Sequence, residues 1–238
     1  MKILAFDSTA KIASVAVLEN EKVLASYHID NGLTQSELLL PMAEDMLKSL
    51  RLELSDIELF ACSTGPGSFT GVRIGAALVK GLAFGKNIPC ASVDTLEALA
   101  ESLSGIRGLI VPVMDARRGQ YYTALFSGDD GIERLTDDEA LDAKTLAEKI
   151  TLYGKGLPVY LVGDGYKNAL SALEALGIAC MRTPELLLAE NAASVGRVAY
   201  RMQKAGLAVT DSAISATYLR LPQAERERLA RLEGVAKS

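Results

Sequence analysis

The sequence predicts an α/β protein made of two duplicated domains, each with a mixed sheet flanked by helices. Two observations lead to this prediction. Apolar strand patterns alternate with amphipathic helix patterns along the chain, and the order three strands, helix, strand, helix occurs twice. We place the domains at residues 1–104 and 105–222, followed by a charged tail or helix at 223–238. A single doubly wound domain is the alternative, but it does not explain why each half of the chain begins with three strands.

The first half contains five strand patterns and three helix patterns. A helix is predicted over residues 34–50, because Thr34 and Glu37 fit a capping box and apolar residues recur on one face. Asp94, followed by Glu97, is the predicted cap of the third helix. The strand patterns lie at 2–6, 13–18, 22–27, 59–63 and 90–93, and the second helix follows Thr70.

The second half repeats this order with weaker patterns. Strands are predicted at 109–114, 120–126, near Ile132 and at 159–162, and helices near 142–150, 167–176 and 192–204. Asp129-Asp130-Gly131 is typical of the turn of a hairpin. The other acidic run, Asp137-Asp138-Glu139, is predicted to be a solvated turn, and a solvated helix is predicted around residues 225–231.

The composition is that of a folded protein with a sizeable core. Of 238 residues, 49% are hydrophobic and 23% are charged, with a net charge of −5. Because a surface that binds a phosphate backbone is basic, we expect any RNA contact to be shared with a partner. No apolar run approaches the roughly 20 residues that cross a bilayer, and the N-terminus lacks a secretory signal. Three separated cysteines beside apolar residues indicate a reducing compartment, so we predict a cytoplasmic protein without membrane contact.

The most specific motif is residues 65–75, Gly-Pro-Gly-Ser-Phe-Thr-Gly-Val-Arg-Ile-Gly. The glycines on either side of Pro66 allow a tight turn between a buried strand and a helix. Ser68 or Thr70 can cap this helix, whose first amides form a candidate anion site. A Walker loop needs a Lys-Ser or Lys-Thr pair after its last glycine, whereas Gly71 is followed by Val-Arg. The spacing therefore excludes a Walker loop.

The helices at 34–50 and after Thr70 carry apolar or small residues on more than one face. Glycines four residues apart in the second helix allow another helix to approach closely. Each glycine inside a helix costs about 0.5–1 kcal/mol of stability relative to alanine, so several of them suggest a packing reason. Internal packing against the sheet is one explanation. Docking of both helices on an equivalent pair of a partner is the other, and the sequence favours it modestly. The residues predicted for this interface are Leu38, Leu39, Met42, Met46, Gly71, Val72, Ile74, Gly75 and Leu78.

Four motifs in this order and spacing closely resemble the bacterial TsaB family, formerly YeaZ. They are residues 7–9, 65–75, 115–121 and 218–220, and the resemblance extends to about Pro222. It implies two domains of the actin, sugar kinase and Hsp70 type. It also implies a non-catalytic subunit needed to make threonylcarbamoyladenosine beside the anticodon of tRNAs that read codons starting with A. The implied partners are the catalytic paralogue TsaD, the ATPase TsaE and, indirectly, tRNA, with a homodimer when the chain is isolated.

In that superfamily, the loop after the first strand of each domain binds nucleotide phosphates. The corresponding residues here are Asp7, Ser8, Thr9, Asp115, Arg117 and Arg118. The first loop lacks glycine, and the second places bulky arginines where the backbone must approach a phosphate. We therefore expect no catalytic residue and no tightly bound cofactor on this chain. The interface of the complex is then the place where ATP or ADP would bind.

His28 is the one histidine, whereas the catalytic relatives hold a metal on paired histidines. One histidine without a second nitrogen or thiolate ligand does not make a transition-metal site, so no metal is expected. A magnesium ion shared by Asp7 and Asp115 across a cleft is an alternative that the missing glycines disfavour. The alternative function is an ATP-dependent enzyme, or a metallopeptidase-like (glycoprotease) homologue of the same fold.

Overall fold

The computed structural model describes residues 1–220, which form two mixed β-sheets with a cleft between their loops. The helix predicted around residues 225–231 and the tail at 223–238 lie outside the described residues. The strands are β1 (Lys2–Asp7), β2 (Ala13–Glu19), β3 (Lys22–Ile29), β4 (Leu59–Ser63), β5 (Cys90–Val93), β6 (Leu109–Asp115), β7 (Gln120–Thr123), β8 (Phe126–Ser127), β9 (Glu133–Arg134), β10 (Glu139–Asp142) and β11 (Val159–Val162). The helices are α1 (Gln35–Leu50), α2 (Phe69–Ala83), α3 (Thr95–Glu101), α4 (Ala143–Gly154), α5 (Tyr166–Ala175) and α6 (Ala192–Lys204).

The first sheet has the strand order β3-β2-β1-β4-β5. β1 pairs antiparallel with β2 and parallel with β4, so the sheet is mixed as predicted. α1 and α2 cover one face. The capping box predicted for α1 is present, with Glu37 Oε2 accepting from Thr34 N at 2.9 Å. Leu39 and Met46 of α1 are buried against this sheet, each adding about 1.5–3 kcal/mol of apolar burial.

The opposite face of the first sheet is covered by α6, which returns from the C-terminal part of the chain. Ala192, Val195 and Val198 pack on this face, and Gly196 lies directly against the Leu18 side chain. α6 thus belongs by sequence to the predicted domain at 105–222 and by packing to the first sheet. The division into domains stays a prediction.

The second sheet has the order β10-β7-β6-β8-β9, and β11 pairs parallel with β6. α4 and α5 pack on one face through side chains such as Leu146 and Leu173. α3 packs on the other through Leu96 and Leu99. α3 also contacts α6, so these two helices lie between the sheets, where Arg201 Nη2 of α6 donates to Glu101 Oε2 of α3 at 2.6 Å.

The single strand predicted over 120–126 is wrong, because the chain leaves the ladder after Thr123. β7 pairs with the C-terminal end of β6 and β8 with its N-terminal end. Between them, the Leu125 backbone turns to another segment, since Leu125 N donates to Thr136 Oγ1 at 2.9 Å and Leu125 O accepts from Leu135 N at 2.8 Å. Residues 123–126 are all buried, so the alternation of a half-buried strand stops there.

The turn predicted at 129–131 is confirmed, since β8 and β9 pair antiparallel on either side of it. The solvated turn predicted at Asp137-Asp138-Glu139 is wrong for its last two residues. Asp138 is half-buried and accepts from Arg134 Nη1 at 2.5 Å, while Glu139 begins β10 beside β7. Within residues 1–220, no helix is both long enough and apolar enough to cross a membrane.

Candidate functional site

The candidate site is a cleft of about 520 Å³ between the loops that follow β1 and β4 in the first half and β6 in the second. All four sequence motifs contribute residues to its wall, the first motif through Thr9. The lining residues that the argument uses are Thr9, Lys11, Ser68, Phe69, Asp115, Arg117, Asp164, Tyr218 and Arg220. The structure therefore brings together residues that the sequence places far apart.

The loop after β1 is closed on itself around Asp7, which is 1% exposed. Asp7 Oδ1 accepts from Thr9 N at 2.9 Å and from Thr9 Oγ1 at 2.7 Å, and Oδ2 accepts from Ser63 Oγ at 2.5 Å. Burial raises the pKa of the Asp7 carboxyl, and these hydrogen bonds act in the opposite direction. Ser8 Oγ donates to Gly71 O at 2.8 Å. The carboxylate and the hydroxyl groups of this loop thus make hydrogen bonds within the chain.

The turn at residues 65–67 packs against this same loop. Gly65 and Gly67 have φ of +119° and +156°, as the predicted tight turn requires. A β-carbon on Gly67 would lie 2.7 Å from Thr9 O. Ser68, rather than Thr70, caps α2, with its Oγ accepting from Gly71 N at 3.2 Å.

The loop after β6 has a strained backbone on the cleft wall. Arg117 and Arg118 have φ of +62° and +57°, a conformation that costs about 1–2 kcal/mol in residues other than glycine. Asp115 Oδ1 accepts from Arg117 N at 2.7 Å, which holds the turn. Asp115, Arg117 and Arg118 are all exposed. Asp7 is buried whereas Asp115 is exposed. The two acids of the alternative magnesium site are therefore in different environments.

Sequence reasoning missed two carboxylates near these loops. Asp164 follows β11, lines the cleft and accepts from Asp115 N at 3.0 Å. Glu190, just before α6, is 2% exposed, and its Oε1 has no hydrogen-bond partner within the described residues. Burial, followed by the nearby Asp164 and Asp7 carboxylates, raises the pKa of Glu190 to about 8. In the sequence, the signal for a buried Glu190 is its position directly after the apolar residues 186–189.

Most side chains predicted for the partner interface lie in the core beneath α1 and α2. Leu38, Leu39, Met42, Met46 and Val72 are buried, Ile74 and Leu78 are half-buried, and Gly71 and Gly75 lie against Ser8. A β-carbon on Gly71 would overlap Ser8 O, so internal packing explains these two glycines. The interface itself stays a prediction, and the exposed positions on these helices include Leu40 and Ala77.

His28 lies on β3 with its Nε2 at 2.9 Å from Ser26 Oγ, and it is exposed. In the part of the chain that the structure describes, no three His, Cys, Asp or Glu residues are arranged to hold a metal ion.

Comparison with known proteins places the chain in a family. A sequence profile of TsaD, tRNA N6-adenosine threonylcarbamoyltransferase, matches residues 34–225. The chain is 36% identical over 140 residues to the Bacillus subtilis protein named tRNA threonylcarbamoyladenosine biosynthesis protein TsaB, an alignment of 58% of this chain and 61% of that protein. It is 30% identical over 170 residues to the protein of the same name from Buchnera aphidicola subsp. Schizaphis graminum, covering 70% and 80% of the two chains. The chain belongs to the TsaB family.

The TsaB family assignment confirms the resemblance seen in the four motifs. The chain spans about three fifths of the Bacillus subtilis relative that it matches. The structure of YeaZ from Pseudomonas aeruginosa superimposes with a TM-score of 0.75 at 24% identity, covering 92% of this chain and 99% of that one. This likeness shows the fold, and the predicted α/β fold of mixed sheets flanked by helices is confirmed.

Proposed function

We propose that this TsaB-family chain is a non-catalytic scaffold and activator in the transfer of threonylcarbamoyl to N6 of the adenosine beside the tRNA anticodon, acting in the cytoplasm. The names of its relatives supply the pathway. The observation that carries the non-catalytic role is Asp7, whose two carboxylate oxygens are both occupied by Ser63 and Thr9. The Asp7 side chain is also 1% exposed and does not line the cleft, so it does not face a phosphate or a metal there.

The neighbouring loops support the same conclusion. A phosphate site built from a loop needs backbone amides and hydroxyls that point at the ligand. Here Ser8 Oγ donates to Gly71 O, and Ser68 N donates to Thr9 O at 2.7 Å. On the opposite wall, the left-handed backbone at Arg117 and Arg118 replaces the glycines of a phosphate loop with long side chains. Tight binding of ATP by the isolated chain is therefore not expected.

The proposed docking surface is the groove beside α1, which is bounded by residues 51–54 and by Leu82 of α2. A cavity of about 580 Å³ lies there, lined by apolar side chains that include Leu40, Leu47, Leu54 and Leu82 and by charged residues such as Lys48 and Glu53. The proposed occupant is the equivalent helix pair of TsaD, whose profile matches most of this chain and which is thus related to it. A second copy of the chain would use the same groove when TsaD is absent.

Activation then follows from differential binding. A subunit shifts its partner toward the active conformation only if it binds that conformation more tightly than the inactive one. In the proposed complex, TsaD carries out the transfer, TsaE contributes ATP hydrolysis, and tRNA contacts this chain only through the complex. Any ATP or ADP near this chain would lie at the subunit interface.

The test is reconstitution of threonylcarbamoyl transfer with TsaD, TsaE and tRNA, with and without this chain. We expect turnover to require the chain, and unchanged turnover without it would refute the activator role. Calorimetry of the isolated chain with ATP and magnesium tests the alternative of an ATP-dependent enzyme. The observation that supports this alternative is the open cleft, because the basic residues Lys11 and Arg117 lie on its wall. Micromolar or tighter uptake would favour it.

Leu40→Glu tests the docking surface without disturbing the core, because Leu40 is 41% exposed. A charge in the centre of an apolar interface should weaken binding to TsaD at least about tenfold, or about 1.4 kcal/mol. The matched control is Leu152→Glu on α4, where leucine is 68% exposed and lies outside the groove. Titration calorimetry of both variants with TsaD measures the difference. Equal affinities would place the interface elsewhere.

A further inference from the structure

The motif Tyr218-Leu219-Arg220 has no role in the proposed function, yet it occupies a distinctive position. Together with Thr217 it runs along the wall of the cleft, and this segment contacts both halves of the chain. The two halves are also joined between the sheets, where α3 meets α6, and by the ion pair of Arg134 with Asp94. Residues 217–220 are thus a separate connection between the halves at the cleft.

On the side of the first half, the segment is attached by backbone and by an aromatic stack. Thr217 N donates to Thr64 O at 2.7 Å, and a β-carbon on Gly65 would overlap Thr217 O. The Tyr218 ring lies 4.7 Å from the Phe69 ring between centroids. These contacts join the segment to the glycine turn and to the start of α2.

A guanidinium completes that attachment. Arg73 Nε donates to Tyr218 Oη at 2.9 Å, and Arg73 Cζ lies 3.8 Å from the Phe69 ring centroid. A cation over an aromatic face is attracted by the electrons of the ring, so this contact is stabilising. The segment is therefore held to the first half by several contacts that do not depend on Arg220.

On the side of the second half, the attachment depends on Arg220. Its Nη1 donates to Ala116 O at 3.2 Å, its Nη2 donates to Gln120 Oε1, and its Cζ lies 5.8 Å from the Tyr122 ring centroid. Ala116 and Gln120 are the two ends of the strained turn after β6, and Ala116 N donates to Gln120 O at 2.9 Å. One guanidinium thus holds both ends of that turn, a fork geometry that lysine cannot reproduce.

We propose that residues 217–220 are a strap that fixes the orientation of the two halves across the cleft, with Arg220 as the contact whose loss releases it. Within residues 1–220, several contacts attach this segment to the first half, whereas its hydrogen bonds to the second half come from the Arg220 side chain. Removal of that side chain should therefore let the halves move apart while each sheet stays folded. The strap does not depend on the scaffold role, because it concerns the conformation of the chain alone.

The experiment compares the full chain with its Arg220→Ala variant by two measurements. Spin labels on exposed lysine positions, Lys48→Cys on α1 and Lys167→Cys on α5, report the distance between the halves, with the half-buried Cys180 changed to serine. Hydrogen exchange reports protection of residues 116–120. We expect the distance distribution to widen at least about twofold and the protection of the turn to fall about tenfold or more.

Controls keep the outcome interpretable. Arg107→Ala removes an exposed arginine outside the cleft lining and should change neither measurement. Arg220→Lys keeps the charge but loses the fork, so it should change both in the same direction, and it serves if the alanine variant does not fold. An unchanged distance distribution in the Arg220 variants overturns the strap, even if the turn exchanges faster, because Arg220 would then act only locally. A wider distribution with an unchanged turn also overturns the role given to Arg220.

Discussion

Glu190→Gln should stabilise the protein by an amount that grows as the pH rises from about 5 to 8. Glu190 is 2% exposed, and its Oε1 has no partner among the described residues. Burial, and then the carboxylates of Asp164 and Asp7, raise its pKa from 4.5 to about 8. At neutral pH the folded chain therefore holds a proton that the unfolded chain has lost.

The sign and size of the effect follow from proton linkage. Between the two pKa values the folded state binds more protons than the unfolded state, so the free energy of unfolding falls as the pH rises. One pKa unit is worth about 1.36 kcal/mol, so a pKa raised from 4.5 to about 8 gives a loss of about 3.4 kcal/mol at pH 7 and approaching about 4.8 kcal/mol above pH 8. Glutamine is neutral at every pH. The stability difference between variant and parent should thus grow by about 1.4 kcal/mol per pH unit and level off above about pH 8.

The assay is urea unfolding followed by circular dichroism at half-unit steps from pH 5.5 to 8.5. Titratable groups distant from Glu190 contribute equally to both proteins, so they cancel in the difference. Glu148→Gln, at an exposed position on α4, is the matched control and should give a difference that does not change with pH. If the Glu190→Gln difference stays flat across this range, the folded chain does not hold the extra proton, and the reasoning is refuted.

Two further predictions concern packing and a half-buried acid pair, Asp94 and Asp138. Gly71→Ala should destabilise the chain by about 3 kcal/mol or more, because its β-carbon would overlap Ser8 O, whereas Gly81→Ala has open space and should stabilise α2 by about 0.5–1 kcal/mol. Urea midpoints that shift in the same direction in both glycine variants would contradict this prediction. Asp138→Asn should lower the pKa of Asp94, which burial and then Asp138 raise to about 7. Carbon-13 NMR of the Asp94 carboxyl measures it, and an unchanged titration would contradict the coupling.

The parts of the fold that depend on local interactions could be predicted from the sequence. The α1 cap needs only Thr34 and Glu37, and the Asp94 cap needs only the amide of Glu97, which donates at 2.8 Å. The turn at residues 65–67 is set by glycines whose φ only glycine adopts easily. In each case the residues that decide the structure are neighbours in the sequence.

The parts that depend on distant contacts could not be predicted. The strand over 120–126 breaks because Leu125 bonds to residues 135 and 136, which propensity at Leu125 does not reveal. Asp164 reaches the cleft, and Glu190 reaches its buried position near Asp164 and Asp7, only after β11 and α6 are in place. The interface prediction shows the same limit, because an apolar residue such as Met46 looks alike in sequence whether it faces the core or a partner.

The structure gives Asp7 a reason to be present that requires no nucleotide. Its carboxylate joins the end of β1 to Ser63 at the end of β4, and the next residue, Ser8, donates to Gly71 O at the start of α2. This chain of contacts sets the position of α2 relative to the sheet, and α2 is one of the two helices proposed to dock on TsaD. Loss of the Asp7 carboxylate would therefore weaken partner activation through the position of α2. A defect in an Asp7 variant would thus be no evidence for catalysis by this chain unless nucleotide binding were lost with it.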